Sequence, residues 1–403
     1  MRHLTELLTL CLFTPEPVGG NMMNKRILSL FFSLLFTLTV YPSFAELNEE
    51  ELFIEDWIIG SEEDEGLGIV ETDGSRTITI TCTGDLTIGG DNYHKKGKKF
   101  YDELNKNDNN ISFTMANVRD IFKQDDLTLV NFEGTFTDTK YVPDNKKGND
   151  FIFNISPSYV NVLTDNYIEA VSLENNHIRD HGDEGFSDTV ETLKNAGIVY
   201  SYSKQYGVFT IDGISIAMLS YLCIDRYDKP VDGYANLYEK VAADIKSVKQ
   251  QYPIVIVSFH WGIEKYYRPT ENQLKMGRLA VDSGADLVIG HHSHRINPIE
   301  EYKGVYICYS LGNFCFSGND KPDDMNSFLF QTRFRISKNG ETITNTGFRI
   351  IPIRITSLKD KNNYVPTPID DDMKIEGIIN TLKDNGRKYL EYPVSEYPLR
   401  WKD

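Results

Sequence analysis

Gly284-Ala-Asp-Leu-Val-Ile-Gly-His-His-Ser-His294 is the stretch that decides the fold. Its first half, Asp286-Leu-Val-Ile289, is a short aliphatic run bounded by glycines, the pattern of a strand buried on both faces in a parallel sheet. Its second half puts three imidazoles into four positions just past that strand. Neighbouring histidines gain little from packing and repel one another when protonated, so a structural role explains them poorly. Neutral imidazole is the commonest metal ligand, and we read the stretch as a metal-binding strand end.

The same arrangement recurs upstream. Ile254-Val-Ile-Val-Ser-Phe259 runs into His260-Trp-Gly262, and Ala170-Val-Ser-Leu173 runs into Asn175-Asn-His177 with Asp180 close behind. Glu133 follows the run at 127–131, and Asp85 follows the run at 77–83. Taken singly, either carboxylate could cap a turn and either histidine could be a bystander. Taken together, five successive strand ends offer Asp, Glu, Asn-His, His and His-x-His. That mixture suits a two-metal hydrolytic site, in which a carboxylate bridges two cations while imidazole and amide oxygen fill the remaining positions. In open α/β sheets, ligands collect beyond the carboxyl ends of the strands.

Around these motifs, short β-branched runs alternate with amphipathic stretches, which predicts stacked βα units. Strands are expected at 77–83, 127–131, 170–173, 207–222, 254–259, 287–290 and 305–310. Phe186, Val190 and Leu193 form one helical stripe ended by Gly197; Leu237, Val241, Ile245 and Val248 form a second; Met276, Leu279 and Ala280 form a third, ended by Gly284. After residue 318, apolar stretches at 328–336 and 342–355 flank Asn339-Gly340, a hairpin signal in which both turn positions favour positive φ. A helix at about 371–388 follows.

The ordered blocks resemble the calcineurin-like metallophosphatase superfamily, and within it the CapA family linked to poly-γ-glutamate capsule synthesis. They are Gly84-Asp85, Asn131-Phe-Glu-Gly134, Asn175-Asn-His-Ile-Arg-Asp180, His260-Trp-Gly262, the 284–294 stretch and Tyr309-Ser-Leu-Gly-Asn-Phe314. The resemblance implies a four-layer α-β-β-α sandwich over 77–318, with the hairpin and helix of 319–403 completing it as a small C-terminal extension. It also implies divalent metal ions, two of Mn, Fe or Zn, with Asp85 and His294 on one, Asn176, His260 and His292 on the other, and Glu133 bridging. His177 takes the place of the general acid, with Asp180 beside it. His291 is either a ligand or a support, and Asn131, Tyr309 and Asn313 are expected around the pocket. The first block reads Asp85-Leu-Thr where typical phosphatases have Asp-x-His, which leaves open whether one ion is held or two. The resemblance suggests a phosphoester or an anionic glutamate polymer as substrate, and either catalysis or an accessory role beside a membrane-bound polymer synthase.

Composition sets outer bounds. The chain has 403 residues, is 40% hydrophobic and carries a formal net charge of −17. That balance argues against nucleic acid as a partner, because phosphate neutralisation by basic residues supplies most non-specific affinity. An anionic substrate would have to be held locally by a bound cation. Lys25-Arg26, the apolar run at 27–40 and Ser43-Phe-Ala45 read as a signal peptide covering 1–45, with the true start at Met22 or Met23. This predicts an extracytoplasmic protein; an uncleaved anchor is the alternative. Residues 46–76 read as an acidic linker, and Lys95-Lys-Gly-Lys-Lys99 as a solvated basic loop. Cys82, Cys223, Cys308 and Cys315 are expected to be buried thiols in apolar strands, the alternative being disulfides.

Overall fold

The computed structural model describes residues 69–90, 98–146, 151–225 and 234–402. The leader at 1–45, the first part of the linker and most of the 95–99 run lie outside the described residues.

Two large sheets carry the described chain, beside a two-stranded one that pairs Thr135–Phe136 with Asn154–Ile155. The first has the order β14-β13-β12-β1-β2-β3-β4, from Thr367–Pro368, Ile343–Arg354, Asn326–Ile336, Arg76–Thr87, Leu127–Phe132, Ala170–Ser172 and Val199–Ser201. The second has the order β9-β10-β8-β7-β6-β5, from Ile299–Tyr302, Val305–Cys308, Leu287–His291, Ile254–Gly262, Ile214–Ile224 and Gly207–Ile211. Strands β1 to β4 pair in parallel, as do β6, β7, β8 and β10. A further strand, β11 (Asn313–Phe316), runs parallel to the carboxyl end of β1. Parallel neighbours need crossovers, and helices supply them: α1 (Lys98–Lys106) between β1 and β2, α2 (Gly182–Asn195) between β3 and β4, α3 (Tyr234–Lys249) between β6 and β7, and α4 (Glu271–Asp282) between β7 and β8.

Strand alternation divides the core into three apolar layers. Ile78, Ile80 and Leu129 of the first sheet share one cluster with Ile216, Ile254, Ile256, Leu287 and Ile289 of the second. The opposite face of the first sheet packs Val130 and Val171 with Phe100 and Leu104 of α1 and Leu193 of α2. The opposite face of the second packs Val255, Val257 and Val288 against Val241 and Ile245 of α3 and Met276 and Ala280 of α4. Burial on both faces explains why these strands read as continuous apolar runs. The layers stack as α-β-β-α, and the helical stripes read from the sequence face the core.

Two local expectations change. The run at 207–222 is two antiparallel strands, β5 and β6, joined at Asp212-Gly213 with φ of 50° and 78°. An Asp-Gly pair adopts these values readily, so the turn matches the strands' twist. At Asn339-Gly340 only the glycine has positive φ, 74°. The loop there is longer, with Ser337 N donating to Thr342 O at 2.9 Å. The hairpin itself, β12 with β13, completes the first sheet by pairing antiparallel with β1. Helix α5 (Asp372–Tyr389) follows, and its Ile378 and Leu382 enter the inter-sheet cluster. Cys82, Cys223, Cys308 and Cys315 are free and buried, with no disulfide among the described residues.

Candidate metal centre

The inter-sheet layer turns from apolar to polar at the carboxyl ends of the strands. On β2, Leu127 and Leu129 face the core, and the same parity brings up Asn131 and then Glu133 just past the strand. On β7 the series is Ile254, Ile256, Ser258, His260; on β8 it is Leu287, Ile289, His291. The period of two that builds the core therefore delivers the polar groups to one place. Asp85 arrives differently, because β1 continues past Cys82 through an irregularity in its register with β2. Gly84 permits this: a Cβ there would lie 2.1 Å from the Gly312 carbonyl oxygen, which accepts from Asp85 N at 3.0 Å. Beyond β8, His292 and His294 have φ of 88° and 52°. Non-glycine residues pay about 1 kcal/mol or more for that region, and strain of this kind tends to cluster at functional sites.

Glu133, buried, stands at the centre. Its Oε1 lies 3.6 Å from His260 Nε2, 3.9 Å from His177 Nε2 and 4.0 Å from His294 Nε2. Ligand atoms of Glu133, His292 and His294 all fall within 4.8 Å of one another. Asp85 Oδ2 is 3.1 Å from His294 Nδ1, and its Oδ1 is 3.4 Å from His291 Nδ1. Asn131 Nδ2 donates to Asp85 Oδ1 at 2.9 Å and lies 3.2 Å from His260 Nδ1, while its Oδ1 accepts from Asn175 Nδ2 at 3.4 Å. Asn313 Oδ1 is 2.9 Å from His294 Nδ1. The side chains of His177 and His294 are 12% and 18% exposed, and they mark the mouth.

Burial and charge split the titrations. Burial alone would raise Asp85, yet the adjacent His291 and His294 imidazoles hold it well below the carboxylate range. Burial and the nearby Asp85 charge push Glu133 well above it. Burial, then the charge of His292, lowers His260; burial, then His294, brings His292 down to about 3. His294 is pushed up to about 10, burial being outweighed by Glu133 and Asp85. His260 and His292 are thus neutral, the form in which imidazole binds a cation, whereas His294 and Glu133 would release their protons on binding one.

Whether a metal fits is decided by the polar atoms left over. Both oxygens of Glu133, Asn176 Oδ1, His260 Nε2, His292 Nδ1 and both ring nitrogens of His291 are buried without a hydrogen-bond partner among the described residues. A buried polar group without a partner costs roughly 1–3 kcal/mol, and so many at one spot are explained if a cation takes their lone pairs. Carboxylate, imidazole and amide oxygen are a donor set for first-row divalent ions.

Residues 79–318 match the family of bacterial capsule synthesis proteins PGA_cap, which lies within the metallophosphatase-like superfamily. The chain belongs to this family. Similar curated proteins include the PGA biosynthesis protein CapA of Bacillus subtilis, 32% identical over 66% of this chain and 70% of that one. The capsule biosynthesis protein CapA of Bacillus anthracis is 25% identical over 71% of each. A probable polyglutamine synthesis accessory protein of Mycobacterium tuberculosis is 28% identical over 47% of this chain and 55% of that one.

In this PGA_cap protein the structure brings Asp85, Glu133, His177, His260, His291, His292 and His294 together, with Asn131 bridging Asp85 and His260 and Asn313 against His294; Asn176, next to His177, has its Oδ1 buried without a partner among the described residues. Asp180 lies behind His177, its Oδ2 2.6 Å from Nδ1. Tyr309 is elsewhere: its hydroxyl donates to Glu300 at 2.6 Å and its ring stacks on Trp261, because odd positions of that segment face the outer layer. Sequence reading missed Lys146, which donates to Asp180 Oδ1 at 2.8 Å, and the rings of Phe153 and Phe316, which flank His177 and His294 at 4.8 Å and 6.0 Å. Lys146 sits in a polar loop with nothing to set it apart from a solvated lysine; the phenylalanines read as core.

Proposed function

We propose that this chain is an extracytoplasmic metal-dependent hydrolase or transferase that acts in the synthesis or processing of capsular poly-γ-glutamate. The convergence of unpartnered, buried polar atoms around Glu133 carries the reading. Asp85 and His294, with His291 beside them, would hold one divalent ion, and Asn176, His260 and His292 a second, with Glu133 between the two. Such ions polarise the scissile group and make water nucleophilic at neutral pH. The chain's own residues supply the rest. Burial opposes ionisation of Asp180, but His177 and Lys146 keep its carboxyl below the usual range, so it accepts from His177 Nδ1. That leaves Nε2 towards Glu133 and the mouth, where the ring in its imidazolium form can protonate a leaving group and is left as the Nδ1–H imidazole. The Phe153 and Phe316 rings limit water around the two exposed imidazoles. The anionic polymer carries the same sign as the protein, so its carboxylates would be drawn to the cations of the centre.

The test is direct. The purified full chain, loaded in turn with Mn, Fe and Zn, is assayed on aryl phosphoesters and on poly-γ-glutamate, beside His292→Ala. Metal-dependent turnover that the variant lacks is expected; no turnover with any ion, with capsule formation in the host unaffected by the variant, would sink the catalytic reading. A second reading is favoured by the name of the mycobacterial relative, an accessory protein. In it, the centre binds anionic chain ends beside a membrane-bound polymer synthase without cleaving them. Polymer binding that needs the metal but yields no cleavage would select it.

A further inference from the structure

Among the described residues, Lys146 places a cation against the back of the centre through two short hydrogen bonds. It ends a short 3-10 turn, Asp144–Lys146, and its side chain is only 18% exposed. Its ammonium donates to the Asn176 carbonyl oxygen at 2.6 Å and to Asp180 Oδ1 at 2.8 Å. Asp180 is buried, and its other oxygen meets His177 Nδ1 at 2.6 Å and accepts from Phe153 N at 2.9 Å. One charge thus ties the peptide of Asn176, whose Oδ1 is buried and unpartnered, to the carboxylate that orients His177. The loop that carries the lysine is itself fixed. Val142 is buried, Tyr141 O lies 2.8 Å from His181 Nδ1, and Gly182, at φ 66°, leaves room for Tyr141 and Pro143.

We propose that Lys146 is a positioning residue of the centre, acting through Asn176 and Asp180 to aim the Asn176 amide and the His177 ring at Glu133. This rests on the reading of the centre as a divalent-metal site. Partners that orient ligands from behind typically change metal affinity by about 10–100-fold. A lysine on this loop with a merely structural role would alter melting alone.

Lys146→Met and Lys146→Arg in the full chain separate the possibilities, with Mn²⁺ as the probe. Three quantities are measured: the melting temperature, the Mn²⁺ dissociation constant, and the ¹⁵N-histidine NMR signal of the His177 Nδ1 proton. Lys146→Met is expected to weaken Mn²⁺ binding by about tenfold and to lose the protected His177 signal to solvent exchange. Lys146→Arg, which keeps charge and donors, is expected to restore most of both. Wild-type Mn²⁺ affinity with an intact His177 signal in Lys146→Met overturns the proposal. So does an equal loss in both variants accompanied by an equal drop in melting temperature. If Lys146→Met does not fold, Lys146→Gln takes its place under the same criteria. Should the wild-type chain bind no Mn²⁺, the metal reading fails, and the His177 signal, which needs no ion, still decides the role of Lys146.

Discussion

Asn131 joins three other strand ends behind the ligands, those of Asp85, His260 and Asn175. It donates to Asp85, lies against His260 and accepts from Asn175. Asn131→Ala should therefore weaken divalent-metal binding by roughly 10–100-fold and cost about 1–3 kcal/mol through the partners it strands; titration calorimetry with Mn²⁺ and a thermal melt check both, and unchanged affinity would refute the role. Asn131 was visible in the sequence only as a neighbour of Glu133, because what it bridges comes from other strands. A second residue lies at the opposite end of the same strand. Asp125 is buried, and burial, reinforced by Glu169 and Asp126, pushes its carboxyl up to about 8 against the bonds from Thr81 and Thr128. Its folded value thus exceeds the unfolded one of about 3.9. The folded state binds the proton more tightly, so this contribution is fully present below about pH 4 and is lost as pH rises through about 8. Asp125→Asn, which can still accept from Thr128, should flatten the fall in melting temperature between pH 5 and 9 and melt above the wild type at pH 9. A lower melt at pH 9 would exclude this account. Nothing in the sequence singled Asp125 out among the chain's 59 acidic residues, since its burial is a product of the fold.

Strand ends were the legible elements. β2, β3, β7 and β8 announce themselves as apolar runs, and the polar residues that follow them meet because parity along each strand is fixed. What could not be read was where a strand bends. β1 passes through an irregular register to place Asp85, and the cause is the backbone of Gly312, some 230 residues away. Gly84→Ala would drive a Cβ to 2.1 Å from that carbonyl, which belongs to a paired strand region and cannot swing aside as a side chain would. The expected loss is about 3 kcal/mol of stability, at the upper end for overpacking, together with weakened metal binding as Asp85 is displaced. Gly213→Ala is the matching control. Its φ of 78° is strained for alanine but nothing lies within 4 Å of the added carbon, so it should cost about 1 kcal/mol and leave metal affinity alone. Equal metal affinities in the two variants would show that the Asp85 bend does not depend on Gly84. The Asp212-Gly213 turn itself was readable from its two residues, and it was obscured by the apolar run on either side.

At the scale of the molecule, the family match ends at residue 318, while the first sheet does not. β12 lies directly against β1, the strand that carries Asp85, with Cα partners from Phe330 and Cys82 to Ile336 and Arg76. Phe328, Phe330, Phe334 and Ile336 of β12, with Phe348 and Ile350 of β13, fill the inter-sheet cluster. The tail beyond α5 is tied in as well: Val394 N donates to Ile299 O, Ile350 N donates to Pro398 O, and Arg278 pairs with both Glu300 and Glu391. This long-range pairing leaves no trace in local sequence, where 319–403 reads as an appendage, because sheet order is set by contacts hundreds of residues apart. Burying a large apolar side chain is worth about 1.5–3 kcal/mol, so those six alone approach or exceed the net stability of about 5–15 kcal/mol that domains of this kind possess. A chain ended after residue 318 would also expose β1 as an edge, with Thr77, Thr79 and Thr81 losing their ladder partners. Such a chain is expected to lack a cooperative melt, to aggregate and to bind no stoichiometric metal, although it retains every proposed ligand. A soluble 1–318 chain with a sharp transition and the metal content of the full protein would show instead that the matched region stands alone and that the C-terminal strands only decorate it.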